Sequence, residues 1–313
     1  MARIELDSSV VYDVIIIGGG PAAINAALYA HRKGLKTGII CKDFGGHVKD
    51  TVNIENYLGF MKIDGYDLIE KFKEQIMQFD CYVKEYAEVT GIKKNDLIKI
   101  TTDDDMVFTS RTAIIATGSK HRTLNIPGEL EFFARGLSYC AICDGPLFRG
   151  KDVVIAGGGN SAVGAAIDLS KICRKIMIVH RSQFRADQVL LDRMAKCPNI
   201  VIYLEHQILE VSGSDFVENI SVLDKKTKTQ RTIKTDALFI EIGLVPNSSF
   251  AKDTVDINEF GEIIIDETCA TSVPGIFAAG DVTTSPFKQI VIASSEGSIA
   301  ALSANEYLNR KRS

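Results

Sequence analysis

The apolar run Val11-Tyr12-Asp13-Val14-Ile15-Ile16-Ile17 lacks the alternation of a half-exposed strand. Such a run is buried on both faces, as strands of a parallel sheet are. It passes straight into Gly18-Gly19-Gly20-Pro21-Ala22-Ala23, and a helical segment follows from Ile24 to Lys33, ended by Gly34. A short strand is predicted at Thr37–Cys41. Between Tyr66 and Phe79, residues Leu68, Ile69, Phe72, Ile76 and Phe79 recur at helical spacing and predict a core-facing stripe. From Tyr82 to Ile115 the pattern becomes alternating strands, with a turn at Lys93–Asp96. The acidic run Asp103-Asp104-Asp105 reads as a solvated hairpin tip rather than a metal site.

The same order of strand, glycine turn and helix then recurs. Asp152–Ala156 predicts a buried strand, Gly157-Gly158-Gly159-Asn160-Ser161-Ala162 a turn, and Val163–Lys171 a helix. A strand at Lys175–Val179 follows, ending in His180-Arg181. Further strands are predicted at Leu238–Gly243, Gly261–Asp266 and Gly275–Asp281, with Val245-Pro246-Asn247 as a crossing point between lobes. A long helix from Ile290 to Leu308 closes the chain, and the basic end Asn309–Ser313 reads as a frayed tail.

Both turns match the dinucleotide fingerprint G-x-G-x-x-G/A in its strand-to-helix context. Gly18 permits the tight turn, Gly20 lets the backbone approach a pyrophosphate, and Ala23 keeps the helix close to the strand. Gly157, Gly159 and Ala162 repeat those roles. Two fingerprints imply two nucleotides and two Rossmann-like lobes. After the first, strand 37–41 ends in Cys41-Lys42-Asp43, so no acid at its tip secures the ribose contact. After the second, His180, Arg181 and Arg185 supply cations suited to the extra phosphate of NADP. Thr51 and Asn56 are candidates to hydrogen-bond a flavin ring, or else a helix cap and turn.

Between the fingerprints lies Cys140-Ala141-Ile142-Cys143-Asp144-Gly145, the sole Cys-x-x-Cys. Two cysteines so spaced can close a disulfide across the first turn of a helix, where a thiolate is stabilised. Asp144 follows, placed to handle the proton. Half of a zinc site would need a second Cys or His pair. The remaining cysteines (Cys41, Cys81, Cys173, Cys197, Cys269) are scattered singly, so a redox dithiol is expected and no metal.

Composition narrows the class. With 313 residues, 46% apolar and 24% charged, the chain reads as a soluble globular protein of about two domains. A net charge of −4 gives no field for a nucleic-acid backbone. No apolar run reaches the roughly 18 residues that span a bilayer, and Met1–Tyr12 has no signal-peptide core. A cytoplasmic location is expected.

The chain resembles the low-molecular-weight thioredoxin reductases, a branch of the FAD-dependent pyridine nucleotide-disulfide oxidoreductases. It is nearly as similar to the reductase portion of the flavoprotein subunit of alkyl hydroperoxide reductase. The likeness covers essentially the whole chain. It rests on the paired fingerprints, the dithiol segment, Ala116-Thr117-Gly118, Gly280-Asp281 and Lys288-Gln289-Ile290. It implies an α/β fold of two Rossmann-like three-layer domains, the second inserted in the first. Residues 1–119 and 248–313 would bind FAD, and 120–247 would bind the pyridine nucleotide and carry the dithiol.

By that resemblance FAD contacts Gly18, Gly20, Pro21, Ala22, Gly46, Asn56, Ala116, Thr117, Gly118, Gly280, Asp281, Lys288, Gln289 and Ile290. NADPH contacts Gly157, Gly159, Asn160, Ser161, Ala162, His180, Arg181 and Arg185. Cys143 would face the flavin, Cys140 would attack thioredoxin or a thioredoxin-like protein, and Asp144 would supply the proton. Homodimerisation and rotation of one lobe against the other are further implications. Arg135 matches a partner-touching position, while Pro146-Leu147 replace two aromatics. Ser182 stands where the family has a second arginine, and Arg185 comes one residue early. NADH, or a protein donor such as ferredoxin, is therefore the alternative electron source.

Overall fold

The apolar run at 11–17 becomes the centre of a sheet. The structure, a computed structural model, describes residues 4–51 and 54–312. The chain divides into two compact units, residues 1–120 with 245–313, and residues 121–244.

The first unit begins with β1 (Ile4–Glu5), β2 (Val11–Ile17), α1 (Pro21–Arg32), β3 (Thr37–Ile40), α2 (Gly65–Ile76) and β4 (Tyr82–Lys84). A meander follows, β5 (Val89–Lys94), β6 (Ile98–Thr102) and β7 (Val107–Ile115). The sheet order is β1-β4-β3-β2-β7-β6-β5, with β2 parallel to both β3 and β7. Val14 and Ile16 of β2 pack under α1, while Ile15 and Ile17 join Ile98, Ile100 and Phe108 of the meander. Both faces are covered, so no polar alternation survives in the sequence. The acidic run lies at the turn between β6 and β7, as expected of a hairpin tip.

The chain passes through β8 (Ser119–His121) into the second unit. There β9 (Leu137–Ser138), α3 (Ala141–Asp144), β10 (Asp152–Ala156), α4 (Asn160–Leu169), β11 (Lys175–His180), α5 (Gln188–Met194) and β12 (Ile200–Leu204) succeed one another. An antiparallel layer, β13 (His206–Gly213), β14 (Val217–Asp224) and β15 (Gln230–Lys234), precedes β16 (Ala237–Ile240). The parallel sheet has the order β12-β11-β10-β16-β9. Val153, Ile155 and Phe239 face the helices, and Val154, Ala156 and Leu238 face the antiparallel layer. Both units are thus three-layer α/β sandwiches of the Rossmann type, as the paired fingerprints imply.

After β17 (Leu244–Pro246) the chain rejoins the first unit, where β18 (Ile276–Ala278) pairs with the second half of β7. The closing helix α6 (Ile290–Arg312) then packs on α1 through small residues. Ala23, Ala26, Ala27 and Ala30 meet Ala300, Ala301 and Ala304 in one core.

Several boundaries differ from the sequence reading. α1 and α4 begin at Pro21 and Asn160, because the fingerprint residues themselves form the first helical turn. α2 stops at Ile76, short of Phe79. Gly261–Asp266 is not a strand. Ile263 alone makes single bridges, to Ile257 and to Thr283, and Ile264–Asp266 continue without a ladder. The basic end is helical as far as Arg312 rather than frayed, and Ser313 lies outside the described residues. Arg310 pairs with Glu306 one turn back, and Lys311 Nζ sits 5.1 Å from the centroid of the Tyr307 ring. Among the described residues no helix is long and apolar enough to cross a membrane.

Candidate functional site

In the first unit, Gly18 has a φ of +129°, and a β-carbon there would stand 2.1 Å from the Ala116 carbonyl oxygen. Its amide donates to the Ile40 carbonyl at 2.8 Å, which fixes the turn against β3. Gly20 differs: nothing lies within 4 Å of where its β-carbon would be. Gly20 is also the N-cap of α1, with no side chain capping the helix and Pro21 at the first turn. The amides of Ala22 and Ala23 are therefore first-turn donors without helical partners, the arrangement that receives a phosphate.

Gly46 and Gly280 lie against this turn. Gly46, at φ +56°, faces the Gly20 α-carbon, its would-be β-carbon 3.8 Å away. Gly280 packs on Ala22 in the same way at 3.1 Å and donates its amide to Glu296 Oε2 at 2.7 Å. Thr117 Oγ1 donates to the Asn247 carbonyl at 2.7 Å, and Asn247 returns a bond from Nδ2 to the Thr117 carbonyl at 2.9 Å. The Gly118 carbonyl accepts the Asn247 amide. His47 Nε2 bonds the Ser119 carbonyl.

Asn56 Nδ2 donates to Gln289 Oε1 at 3.2 Å, joining two candidates 233 positions apart. Gln289 accepts the Ala293 amide through its carbonyl at the head of α6, which begins at Ile290. Lys288 Nζ is engaged by Glu262 Oε1 at 3.1 Å and by the Thr283 carbonyl. Burial raises the Asp281 carboxyl, against the opposing charges of Lys288 and His47. Thr51 Oγ1 makes a 3.4 Å contact with the His47 carbonyl, a turn contact.

The second unit repeats the plan. Gly157, at φ +149°, would place a β-carbon 2.2 Å from the Glu241 carbonyl oxygen. Gly159 faces open space and caps α4 without a side-chain bond. Asn160 and Asp187 bond each other twice, at 2.9 and 2.8 Å. The Arg185 amide donates to the Gly158 carbonyl at 2.8 Å, folding the loop after β11 back over the turn. Ser161 is exposed and Ala162 buried.

His180 departs from the expectation of a free cation. It is 6% exposed, lies over Gly158, stacks on Phe184 and meets Ser182 Oγ at 3.1 Å. Burial holds its pKa below the usual histidine value, and Arg185 and Arg181 add to that. Arg181 and Arg185 are exposed.

Cys140 and Cys143 form a disulfide, with α-carbons 5.3 Å apart. Cys140 caps the one-turn helix α3, and its Sγ accepts the Cys143 amide at 3.2 Å. The buried Ser138 accepts the Cys140 amide on Oγ at 3.0 Å. Burial raises the Asp144 carboxyl, with the Ser138 hydroxyl opposing, so the acid holds its proton to higher pH than a free carboxyl. Cys41, Cys81, Cys173 and Cys269 are buried and Cys197 half-buried, with no disulfide among them. No metal-holding cluster occurs among the described residues.

Two residues escaped the sequence reading. Asn247 stitches Thr117 and Gly118 in place, yet reads in sequence as one more loop asparagine. Glu241 Oε1 accepts the Ala141 amide at 3.0 Å, and burial raises its carboxyl. A carboxylate closing an apolar strand was its only sequence signal.

Residues 12–297 match the family model described as pyridine nucleotide-disulphide oxidoreductase. The chain belongs to that family. Membership implies a flavin and a pyridine nucleotide. It is 44% identical, over 98% of its length, to the F component of alkyl hydroperoxide reductase from Staphylococcus epidermidis, covering 61% of that protein. It is 41% identical, over 96% of its length, to a Bacillus subtilis protein named NADH dehydrogenase, covering 59% of that one. The chain thus spans about three-fifths of the curated relatives it matches. A solved thioredoxin reductase from Streptococcus pyogenes MGAS5005 superimposes with a TM-score of 0.91 at 38% identity, covering 96% of this chain and 99% of that one.

Proposed function

We propose that this oxidoreductase passes electrons from NADPH through FAD and the Cys140–Cys143 disulfide to thioredoxin or a thioredoxin-like protein. The observation that carries this reading is the Cys140–Cys143 disulfide itself, half-exposed and mounted in the same unit as the second glycine turn. The near-complete mutual coverage with a thioredoxin reductase supports the same conclusion.

The residues present fit both groups. The open cradle at Gly20, its free first-turn amides and the nearby Gly46, Gly280 and Asp281 suit the first fingerprint to FAD. The matching cradle at Gly159, with Asn160 and Ser161, suits the second unit to the nucleotide, and Arg181 and Arg185 suit a 2′-phosphate. When bound, the flavin supplies electron transfer between a nicotinamide and a disulfide.

The chain's own residues account for the thiol steps. The Cys143 amide already donates to Cys140 Sγ, so a thiolate on Cys140 keeps that bond, which supports Cys140 as the nucleophile toward the partner. Cys143 is then left to face the flavin. Asp144 is the proton donor, protonated further up the pH scale than an exposed aspartate would be. A homodimer in the cytoplasm is part of the proposal.

A second reading uses NADH as donor. It is favoured by His180, which is buried, with burial holding its pKa below the usual histidine value, where the motif was expected to offer a third cation. Mixing the protein anaerobically with NADPH, and separately with NADH, and following the flavin absorbance decides between them. Faster bleaching by NADPH supports the first reading, and faster bleaching by NADH the second. Bleaching by neither, in protein that dithionite reduces, would replace both with a protein donor such as ferredoxin.

A further inference from the structure

Glu241 ends the apolar run of β16, on the strand beside β10 in the sheet. Its two ends do separate things. The main-chain carbonyl packs on Gly157 so closely that only glycine fits there, so the backbone of Glu241 is fixed to the second glycine turn. The side chain reaches the dithiol helix, where Oε1 accepts the amide of Ala141 at 3.0 Å. Ala141 is the residue bonded to Cys140, and covalent geometry keeps this oxygen within roughly 8 Å of the Cys140 sulfur.

Among the described residues no cation pairs with the carboxyl. α3 brings Asp144 and the two cysteine sulfurs. The turn after β10 and the first turn of α4 bring no charged group. Beyond β9 stands the phenol of Tyr139, which donates to Glu129 Oε1 at 2.9 Å. Burial raises Glu241, opposed only by the Ala141 amide, and no cation contributes. Glu241 is half-buried, and an acid so placed, with one backbone donor and no cation, is a site where negative charge is resisted.

We propose that Glu241 is a positioning residue that holds a proton for the Cys140–Cys143 couple, giving it up only when the dithiol carries no opposing negative charge. Reduction breaks the S–S bond, and the electron pair from the reductant ends on the two sulfurs. One sulfur takes a proton and the other is free to stand as thiolate. A thiolate on Cys140 and a carboxylate on Glu241 would be two negative charges around one amide, Ala141. The pair therefore shares its charge: while the thiolate is present the carboxyl keeps its proton, and an ionised carboxyl raises the thiol in turn. The inference rests on the dithiol being the redox centre, as proposed for the electron route.

The test is the pH profile of the reduced couple, measured without nucleotide or partner protein, so it stands or falls separately from the proposed electron route. The flavoprotein is reduced with dithiothreitol, which exchanges through a mixed disulfide and leaves as its own cyclic disulfide. Alkylation by iodoacetamide is then followed at Cys140 by peptide mass as pH is varied. Glu241→Gln keeps an oxygen for the Ala141 amide but cannot ionise. Its profile is expected to move to lower pH by about half a unit or more, and to merge with the wild-type profile at the acid end. Superimposable profiles would overturn the proposal, since a merely structural bond survives in the glutamine variant.

Should Glu241→Gln fail to fold, the infrared difference between oxidised and dithiothreitol-reduced wild-type protein, prepared with isotope-labelled glutamate, decides instead. A glutamic acid C=O band that shifts or gains intensity on reduction is expected. A spectrum with no glutamate change on reduction would overturn the proposal.

Discussion

Gly18 lies so close to Ala116 that a β-carbon would stand 2.1 Å from the carbonyl oxygen, and its φ of +129° is one that side chains rarely adopt. Two residues on, Gly20 has an extended backbone and open space where its β-carbon would be. One glycine is required by the fold and the other by what the fold is built to hold. Gly18→Ala should cost about 2–4 kcal/mol of stability. Gly20→Ala should change the stability of the flavin-free protein by less than about 0.5 kcal/mol and yet fill the cradle. Thermal melts of the apoproteins, with the flavin content of the purified variants, separate the two.

Gly297 of α6 makes a similar close approach, with a β-carbon there 2.1 Å from the Ala22 carbonyl oxygen. Ala22 belongs to the first glycine turn, so widening this helix pair would disturb the turn as well as the core. Gly297→Ala should destabilise by about 1–3 kcal/mol and weaken flavin retention. A melting temperature and flavin content equal to wild type would contradict this.

Much of this architecture was legible in the sequence, for reasons that particular residues make plain. β2 and β10 read as doubly buried strands because both their faces are covered. The two strand, turn and helix units were legible because the tight turns impose glycine at 18 and 157. Gly261–Asp266 misled because Ile263, Ile264 and Ile265 look like a strand, whereas only Ile263 finds bridge partners. His180 looked like an available cation because its stacking on Phe184 and its place over Gly158 are tertiary facts. Glu241 showed only as a carboxylate closing an apolar run, because its partner, Ala141, is 100 positions away.

The burial of His180 bears on nucleotide choice. If a 2′-phosphate is held by Arg181 and Arg185, Arg181→Ala or Arg185→Ala should raise KM for NADPH by roughly tenfold and leave KM for NADH nearly unchanged. His180→Gln should alter both nucleotides alike, because the ring supports Gly158 rather than offering charge. Steady-state kinetics with each nucleotide checks all three variants.

Stability should respond to pH through the same raised carboxyl that faces the dithiol. A carboxyl whose folded pKa lies above its unfolded value binds its proton more tightly in the native state. Its contribution is full below the unfolded pKa and is lost as pH rises through the folded pKa. Glu241→Gln removes that loss. Relative to wild type, the variant should therefore melt higher at pH 8 than at about pH 4.5, with the oxidised disulfide intact in both. A melting difference that does not change between those two pH values would contradict the assignment.

The proposed function stands on electron passage through Cys140 and Cys143. Its most direct test is turnover of a thioredoxin disulfide by wild type, Cys140→Ser and Cys143→Ser, alongside anaerobic flavin bleaching by NADPH in each. Bleaching should persist in all three proteins, while thioredoxin reduction falls by at least about 10³-fold in both variants. Thioredoxin reduction at the wild-type rate in either serine variant would contradict the account.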